Sequence, residues 1–307
     1  MAQKIIFMGT PDFAVPILKS IHLSKHKILK VYTQPPKKKD RGQKINFSPI
    51  HKYSIKANLD VEYPDNLEID KEINNIKNLN PDIIIVVAYG KILPSKLLNL
   101  KNSKFINIHA SLLPKWRGAA PIQRAIMNLD KETGISIMKI VPKLDAGPVM
   151  MKSKVSLPFG ISFNDLSIKM SNLASKMILD CIDLIEKKQD TYTPQVESKA
   201  TYAKKIAKQE AKINWNDRAK NIIAKVNALH PNPGSWFEIN GLRIKPIKLK
   251  EINIQGTPGR ILDNNFTIGC SENSVQVLEL KKEGKKPMHA KEYLKGNKIE
   301  IGTKLNV

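Results

Sequence analysis

Asn107 and His109 stand two residues apart at the end of an apolar, strand-like run, Phe105-Ile106. On an extended chain residues i and i+2 project to the same side. The pair therefore sets an amide donor beside an imidazole, two tools for a carbonyl oxygen that becomes an oxyanion. Ser111-Leu112-Leu113-Pro114 follows as an apolar turn whose main chain suits a flat ligand. The same residues also fit a strand end with a satisfied Asn and His before a proline turn. Spacing alone does not choose between the two.

The elements around this string must place it. Lys4 to Gly9 is a short apolar run, and residues 11–23 have helical spacing, with Thr10 placed to cap them and Pro11 in the first turn. Further strands are expected at 27–32, 82–88, 105–109 and 134–141, and helices at 48–57, 67–79 and 119–128. The run Ile83-Ile84-Ile85-Val86-Val87 is β-branched and continuous, as in a buried parallel strand. Such alternation predicts an α/β, Rossmann-like domain with a parallel-rich sheet and helices on both faces. Ligands of such sheets bind beyond the carboxyl ends of the strands, the edge where Asn107, His109 and the Tyr89-Gly90 turn fall. Gly9-Thr10-Pro11-Asp12-Phe13 offers one glycine where a dinucleotide cradle needs three, so nucleotide binding there is poorly supported.

Residues 162–188 predict a long amphipathic helix with Leu166, Met170, Leu173, Met177 and Leu184 on its packed face. A polar stretch with Pro194 follows and reads as a linker. Beyond it the pattern turns to one helix at 217–229 and short strands at 235–239, 242–249, 259–263, 266–270 and 275–281, with a hairpin signal at Asn240-Gly241. This predicts a small antiparallel barrel. The expected division is 1–189, a linker at 190–208, and 209–307.

Composition narrows the partners. Lys and Arg number 51 against 28 Asp and Glu, a net charge of +23. Such a field draws polyanions, nucleic acid above all, although a general lysine bias would give the same count. No stretch approaches the roughly 20 apolar residues that span a bilayer. The start of the chain reads as a first strand and not as a secretory signal. Cys181 and Cys270 lie far apart, so neither a disulfide framework nor a zinc site is expected, and a reducing cytoplasmic setting is.

Asn107-x-His109, Ser111-Leu112-Leu113-Pro114, Arg117-Gly118 and Leu144-Asp145-Ala146-Gly147 together resemble the folate-dependent formyltransferases. Trp116 to Gln123, Gly9 to Ala14, Ala203 to Ala211 and Gly284 to Met288 are similar to the branch of that family that acts on methionyl-tRNA. The likeness covers nearly the whole chain and is looser in its last third. It implies a Rossmann-like catalytic domain with a C-terminal OB-like barrel that binds tRNA. It implies Asn107, His109 and Asp145 as catalytic residues, although Leu-Asp-Ala-Gly alone is an ordinary turn. Ser111, Leu112, Leu113 and Pro114 would hold the folate of 10-formyltetrahydrofolate, with no metal.

The chemistry agrees with those residue types. An N-formyl carbon is already electrophilic, and an α-amine with a pKa of about 7.7–8.0 is in useful part neutral near pH 7. Attack gives an oxyanion and a protonated amine, so the site needs a donor and a proton acceptor, not a covalent nucleophile. Asn107 can donate to the oxyanion, His109 can donate or relay a proton, and Asp145 can orient His109 or take the amine's proton through a water. Arg117 fits either an anionic ligand or a staple between two loops.

Lys37, Lys38, Lys39 and Arg41 form a basic loop after the second strand, where the family inserts a loop at the tRNA acceptor stem. The family's version is richer in Gly and Arg; lysines keep the charge but lose bidentate geometry. Lys205 joins these as a tRNA contact in the linker. The turn Asn227-Ala-Leu-His230-Pro-Asn232-Pro233 departs from the family's Arg-Ala-Phe-Asn-Pro-Trp-Pro. The partners so implied are initiator methionyl-tRNA and folate, with no membrane. A monomer is expected, since the basic surfaces repel a like copy. Two alternatives remain: formyl transfer to a sugar-nucleotide amine, and an RNA-binding protein that has lost catalysis.

Overall fold

A computed structural model describes residues 2–39 and 44–305. In chain order its elements are β1 Lys4–Gly9, α1 Val15–His22, β2 Lys27–Tyr32, β3 Lys37–Lys39, β4 Lys44–Asn46, α2 Pro49–Lys56, β5 Val61–Glu62, α3 Asp70–Leu79, β6 Ile83–Val87 and α4 Ser95–Leu98. There follow β7 Lys104–His109, β8 Arg117–Gly118, α5 Pro121–Met127, β9 Glu132–Lys139, β10 Val149–Ser156 and α6 Phe163–Glu186. The remainder comprises β11 Tyr202–Ala203, α7 Ala219–Leu229, β12 Phe237–Ile239, β13 Leu242–Ile252, β14 Thr267–Gly269, β15 Ser274–Lys282, β16 Met288–His289 and α8 Ala290–Gly296. By contacts the chain forms two units. One holds residues 1–118, 133–155 and 167–202, the other 119–132, 156–166 and 203–307.

The first unit is built on a seven-stranded sheet, ordered β10-β9-β7-β6-β1-β2-β5. β1 pairs in parallel with β2 and β6, as do β6 with β7 and β2 with β5. Every residue of β6 is buried, as its unbroken apolar run demands. Ile6, Met8, Tyr32, Ile84 and Val86 form one packed layer on this sheet with Ile76, Leu93 and Leu97.

Three features of this unit differ from expectation. β9 runs antiparallel to β7, so the sheet is parallel in its centre and mixed at one side. β10, which carries Lys152 and Lys154, gives no apolar alternation, yet it forms the sheet's outer strand. Charge on an edge strand hides it from pattern reading and guards its open side. Thr10 does not cap the first helix. Its hydroxyl donates to the Tyr89 carbonyl at 2.9 Å, and the chain enters α1 through a tight turn at Asp12–Ala14. α6 begins as expected: the Ser162 hydroxyl accepts from the Asp165 N–H at 3.1 Å and donates to the Asp165 carboxylate at 2.7 Å. Leu166, Met170 and Met177 are buried along it.

In the second unit β12, β13, β15 and β14 make an antiparallel sheet, with β16 added on β15. Its core gathers Trp215, Phe237, Phe266 and Tyr293, the first three edge to face in sequence. Asn240 and Gly241 both have positive φ, 50° and 71°, the hairpin turn their sequence predicts. The strand expected at 259–263 is reduced to single bridges at Arg260 and Ile261, and α8 was not foreseen. Among the described residues no helix is long and apolar enough to cross a membrane.

Candidate active site

β7 carries Asn107 and His109 to the carboxyl edge of the sheet. Asn107 lies opposite Val86 of β6 and Met138 of β9, and His109 opposite Ser136. His109 is buried and Asn107 half-buried. Asp145 comes from the loop between β9 and β10 and meets both. The Asn107 amide donates to Asp145 Oδ1 at 3.3 Å, and His109 Nδ1 lies 3.6 Å from Oδ2. The backbone N–H of Gly118 donates to Oδ2 at 2.8 Å. The three residues named from sequence are thus assembled around one carboxylate.

The hydrogen bonds fix the histidine's orientation. His109 Nε2 faces the Trp116 carbonyl at 2.8 Å, and a carbonyl only accepts, so Nε2 carries the proton. Nδ1 is then left facing the Asp145 carboxylate, 3.6 Å from Oδ2. Asn107 spends one amide hydrogen on Asp145 and keeps the second for an incoming oxygen.

Local strain marks the same loops. Asp145 has φ 46° and Trp116 has φ 59°, left-handed conformations that side chains with a Cβ rarely adopt. Gly147 is required where it stands: a Cβ there would meet the Lys139 carbonyl oxygen at 1.8 Å.

The Ser111–Pro114 turn divides into two pairs. Ser111 and Leu113 are buried. Ser136 on β9 accepts from the Leu113 N–H at 3.0 Å and donates to the Ser111 carbonyl at 2.7 Å, and Lys152 donates to the Leu113 carbonyl. Leu112 and Pro114 are half-exposed, the members of the turn against which a flat ring could lie. Burial lowers the pKa of Lys152 below its ordinary 10.5.

Arg117 is the staple and not an open anion site. It is 1% exposed; Nη1 donates to both Glu197 oxygens at 3.0 and 3.1 Å, and Nε to Gln195 Oε1 at 3.1 Å. Lys143 also donates to Glu197, and Lys143 and Arg117 together hold its carboxyl below the usual range. Gln195 Nε2 donates to the carbonyls of Asp145 and Gly147 at 2.8 and 2.7 Å. The Thr201 hydroxyl accepts from the Trp116 N–H at 2.9 Å, and its carbonyl from the Arg117 N–H at 2.8 Å. Part of the stretch expected to be a linker therefore braces both the 116–118 and the 145–147 loops. Sequence reading missed Gln195, Glu197, Thr201 and Ser136, because lone polar residues in an irregular segment carry no periodic signal.

The basic segment forms a hairpin, with Lys37 paired to Asn46, Lys38 to Ile45 and Lys39 to Lys44. Lys37 is exposed; Arg41 lies outside the described residues. Lys205 is exposed in the second unit. Of the described residues, His26, Asp183 and Glu186 could converge on a metal. Lys25 already pairs with both carboxylates at 3.2 and 2.7 Å. His26 Nδ1 accepts from the Gln3 N–H at 3.2 Å, so the neutral ring's proton sits on Nε2, toward Asp183. The cluster's hydrogen bonding is that of an ion-pair network.

Fold and site define a formyl transferase. Residues 3–182 match the formyl transferase family, and 205–298 match the formyl transferase C-terminal domain. A methionyl-tRNA formyltransferase of Pelagibacter ubique is 48% identical over 307 residues, 99% of each chain. The chain belongs to the formyl transferase family, on its methionyl-tRNA formyltransferase branch. Two solved structures share the fold. HypX of Aquifex aeolicus, in complex with tetrahydrofolic acid, superposes with a TM-score of 0.68 at 17% identity, over 99% of this chain and 51% of that one. An N-formyltransferase of Helicobacter canadensis, with folinic acid and dTDP-3-aminofucose, gives 0.67 at 20%, over 92% of this chain and 100% of that one.

Proposed function

We propose that this chain transfers the formyl group of 10-formyltetrahydrofolate to the α-amine of initiator methionyl-tRNA, giving formylmethionyl-tRNA and tetrahydrofolate. The observation that carries the chemistry is the convergence of Asn107, His109 and Gly118 N–H on the Asp145 carboxylate. The acceptor is supported by the Pelagibacter relative, alike from end to end.

In this account the neutral amine attacks the formyl carbon, and the carbonyl oxygen gains the negative charge. The free N–H of Asn107 stabilises that oxyanion. The ammonium formed on the nucleophile loses its proton toward Asp145, through a water or directly. His109, its Nε2–H held by the Trp116 carbonyl, presents Nδ1 to Asp145 and relays the proton from that carboxylate to the leaving folate nitrogen. Collapse breaks the bond between carbon and folate nitrogen and leaves the amide. Leu112 and Pro114 would lie against the pterin, while Ser111 and Leu113 shape the turn beneath. A formyl amide of this kind needs no Lewis acid.

Lys37, Lys38, Lys39, Arg41 and Lys205 would meet tRNA phosphates, at a cost that rises with salt. We keep the division at 189 and 209 as part of this reading; the two family matches cover 3–182 and 205–298. We place the enzyme in the cytoplasm, where charged tRNA and reduced folate meet, and as a monomer.

The test is formyl transfer from 10-formyltetrahydrofolate to charged initiator methionyl-tRNA. Turnover is expected, and dTDP-amino sugars should give none. The opposite pattern would move the acceptor to a sugar nucleotide, the ligand of the Helicobacter neighbour. Binding of tRNA with no transfer to any amine would leave an RNA-binding protein.

A further inference from the structure

We propose that Gln195 is a positioning residue for formyl transfer: its side-chain amide holds the Asp145 turn in the left-handed conformation that aims the carboxylate at Asn107 and His109. This rests on the site roles proposed above.

The amide has one satisfiable orientation. Nε2 gives its two hydrogens to the carbonyls of Asp145 and Gly147, at 2.8 and 2.7 Å, while Oε1 accepts from Arg117 Nε at 3.1 Å. Reversed, it would set an oxygen against two carbonyls and an NH2 against a guanidinium. All three partners matter to the site. Asp145 is the carboxylate itself, at φ 46°. Gly147 closes the turn so tightly against Lys139 that no Cβ fits. Arg117 precedes Gly118, whose N–H binds Asp145 Oδ2 from the other side.

The anchor is closed into a ring. Glu197 takes Arg117 Nη1 on both oxygens and also takes Lys143, two residues before Asp145. Lys143, Glu197, Arg117, Gln195 and Asp145 thus link end to end. A left-handed Asp persists only where its surroundings over-determine it. The two Gln195 bonds meet that need at the backbone of the strained turn.

A merely structural Gln195 would tie the 193–201 segment to Arg117, and a glutamate would do that as well or better. Gln195→Glu separates the two roles. It keeps the shape and strengthens the Arg117 contact, but turns two donors into an acceptor that repels both carbonyls. Gln195→Met, uncharged and of equal length, removes the donors without adding charge. Glu197→Gln loosens the outer anchor and leaves the carbonyl bonds in place.

With 10-formyltetrahydrofolate and methionyl-tRNA, Q195E should lose roughly 100-fold in kcat, the order expected when a catalytic group shifts by about 1 Å. KM for either substrate should stay at its wild-type value, while the thermal midpoint falls modestly as two backbone carbonyls lose their donor. Q195M should show the same split, and E197Q a smaller loss. A second readout needs no turnover: in protein with 13C-labelled histidine, the His109 ring signal, assigned through His109→Gln, should move in Q195E and Q195M. Wild-type kcat and an unmoved ring signal in both variants would overturn the proposal. So would an equal fall in stability and kcat in both with the ring signal unmoved. A wild type inert on methionyl-tRNA, with the ring signal still moved in Q195E, would fault the substrate and leave the clamp standing.

Discussion

Asp145 collects more of the site than any other residue, and the residues around it explain why it can. Gly118 and Asn107 hold its two oxygens, Gln195 holds its carbonyl, and Gly147 lets the loop fold back on β9. Gly147→Ala tests the last of these. Its methyl would sit 1.8 Å from the Lys139 carbonyl oxygen, so the turn or the strand end must move. Overpacking of this kind costs about 1–3 kcal/mol, read as a lower urea midpoint at constant slope. We expect kcat to fall at least tenfold as well, because a displacement of about 1 Å already costs on the order of 100-fold. An alanine variant with wild-type stability and turnover would mean that the turn has room it does not show. Asn107, His109 and Asp145 were legible in the sequence through residue type and family likeness. Their mutual contact was not, since nothing in the spacing brings a downstream loop back to the end of a strand.

At the scale of elements, β1 and α6 meet through His26. The ring is 7% exposed and accepts from the Gln3 N–H beside β1, with Asp183 and Glu186 of α6 on its other side. Burial lowers its pKa below the ordinary 6.5; Lys25 adds to this, and Asp183 and Glu186 oppose it. The folded chain therefore binds this proton less readily than the unfolded chain. Stability is present in full above about pH 6.5 and is lost as pH falls toward the folded value. His51 and His230, also lowered by burial, act in the same direction. Urea unfolding between pH 7.5 and 5.5, conditions bracketing the free imidazole's range of about 6.5, should show a falling midpoint. His26→Gln, which keeps an acceptor for Gln3, should make that fall shallower. An unchanged pH slope in the variant would remove His26 from the account. Element by element, the buried centre of the sheet was readable because β6 and β7 are apolar runs. β10 was not, because an edge strand bearing Lys152 and Lys154 hides its period, and α8 is too short to declare one.

For the molecule as a whole, the governing quantity is a net charge of +23. If lysines neutralise tRNA phosphates, log affinity should fall linearly with log salt, by roughly 0.7–0.9 for each phosphate met. Lys37 and Lys205 of the proposed contact set are both exposed. Replacing either by alanine should weaken tRNA binding and flatten the salt slope by roughly one. A slope that stays the same in both variants would return the lysines to a solvated surface. Charge was plain in the composition, while the hairpin that presents Lys37 was not, since a lysine run carries no strand signal of its own.

The most direct test of the whole account is the single-turnover rate of formyl transfer to methionyl-tRNA in wild type and Asn107→Ala, with donor and tRNA saturating. A loss of about 10²–10³ in rate, the value of one oxyanion donor, is expected with both substrates still bound. A variant that transfers formyl at the wild-type rate would contradict it, because the oxyanion would then be stabilised elsewhere.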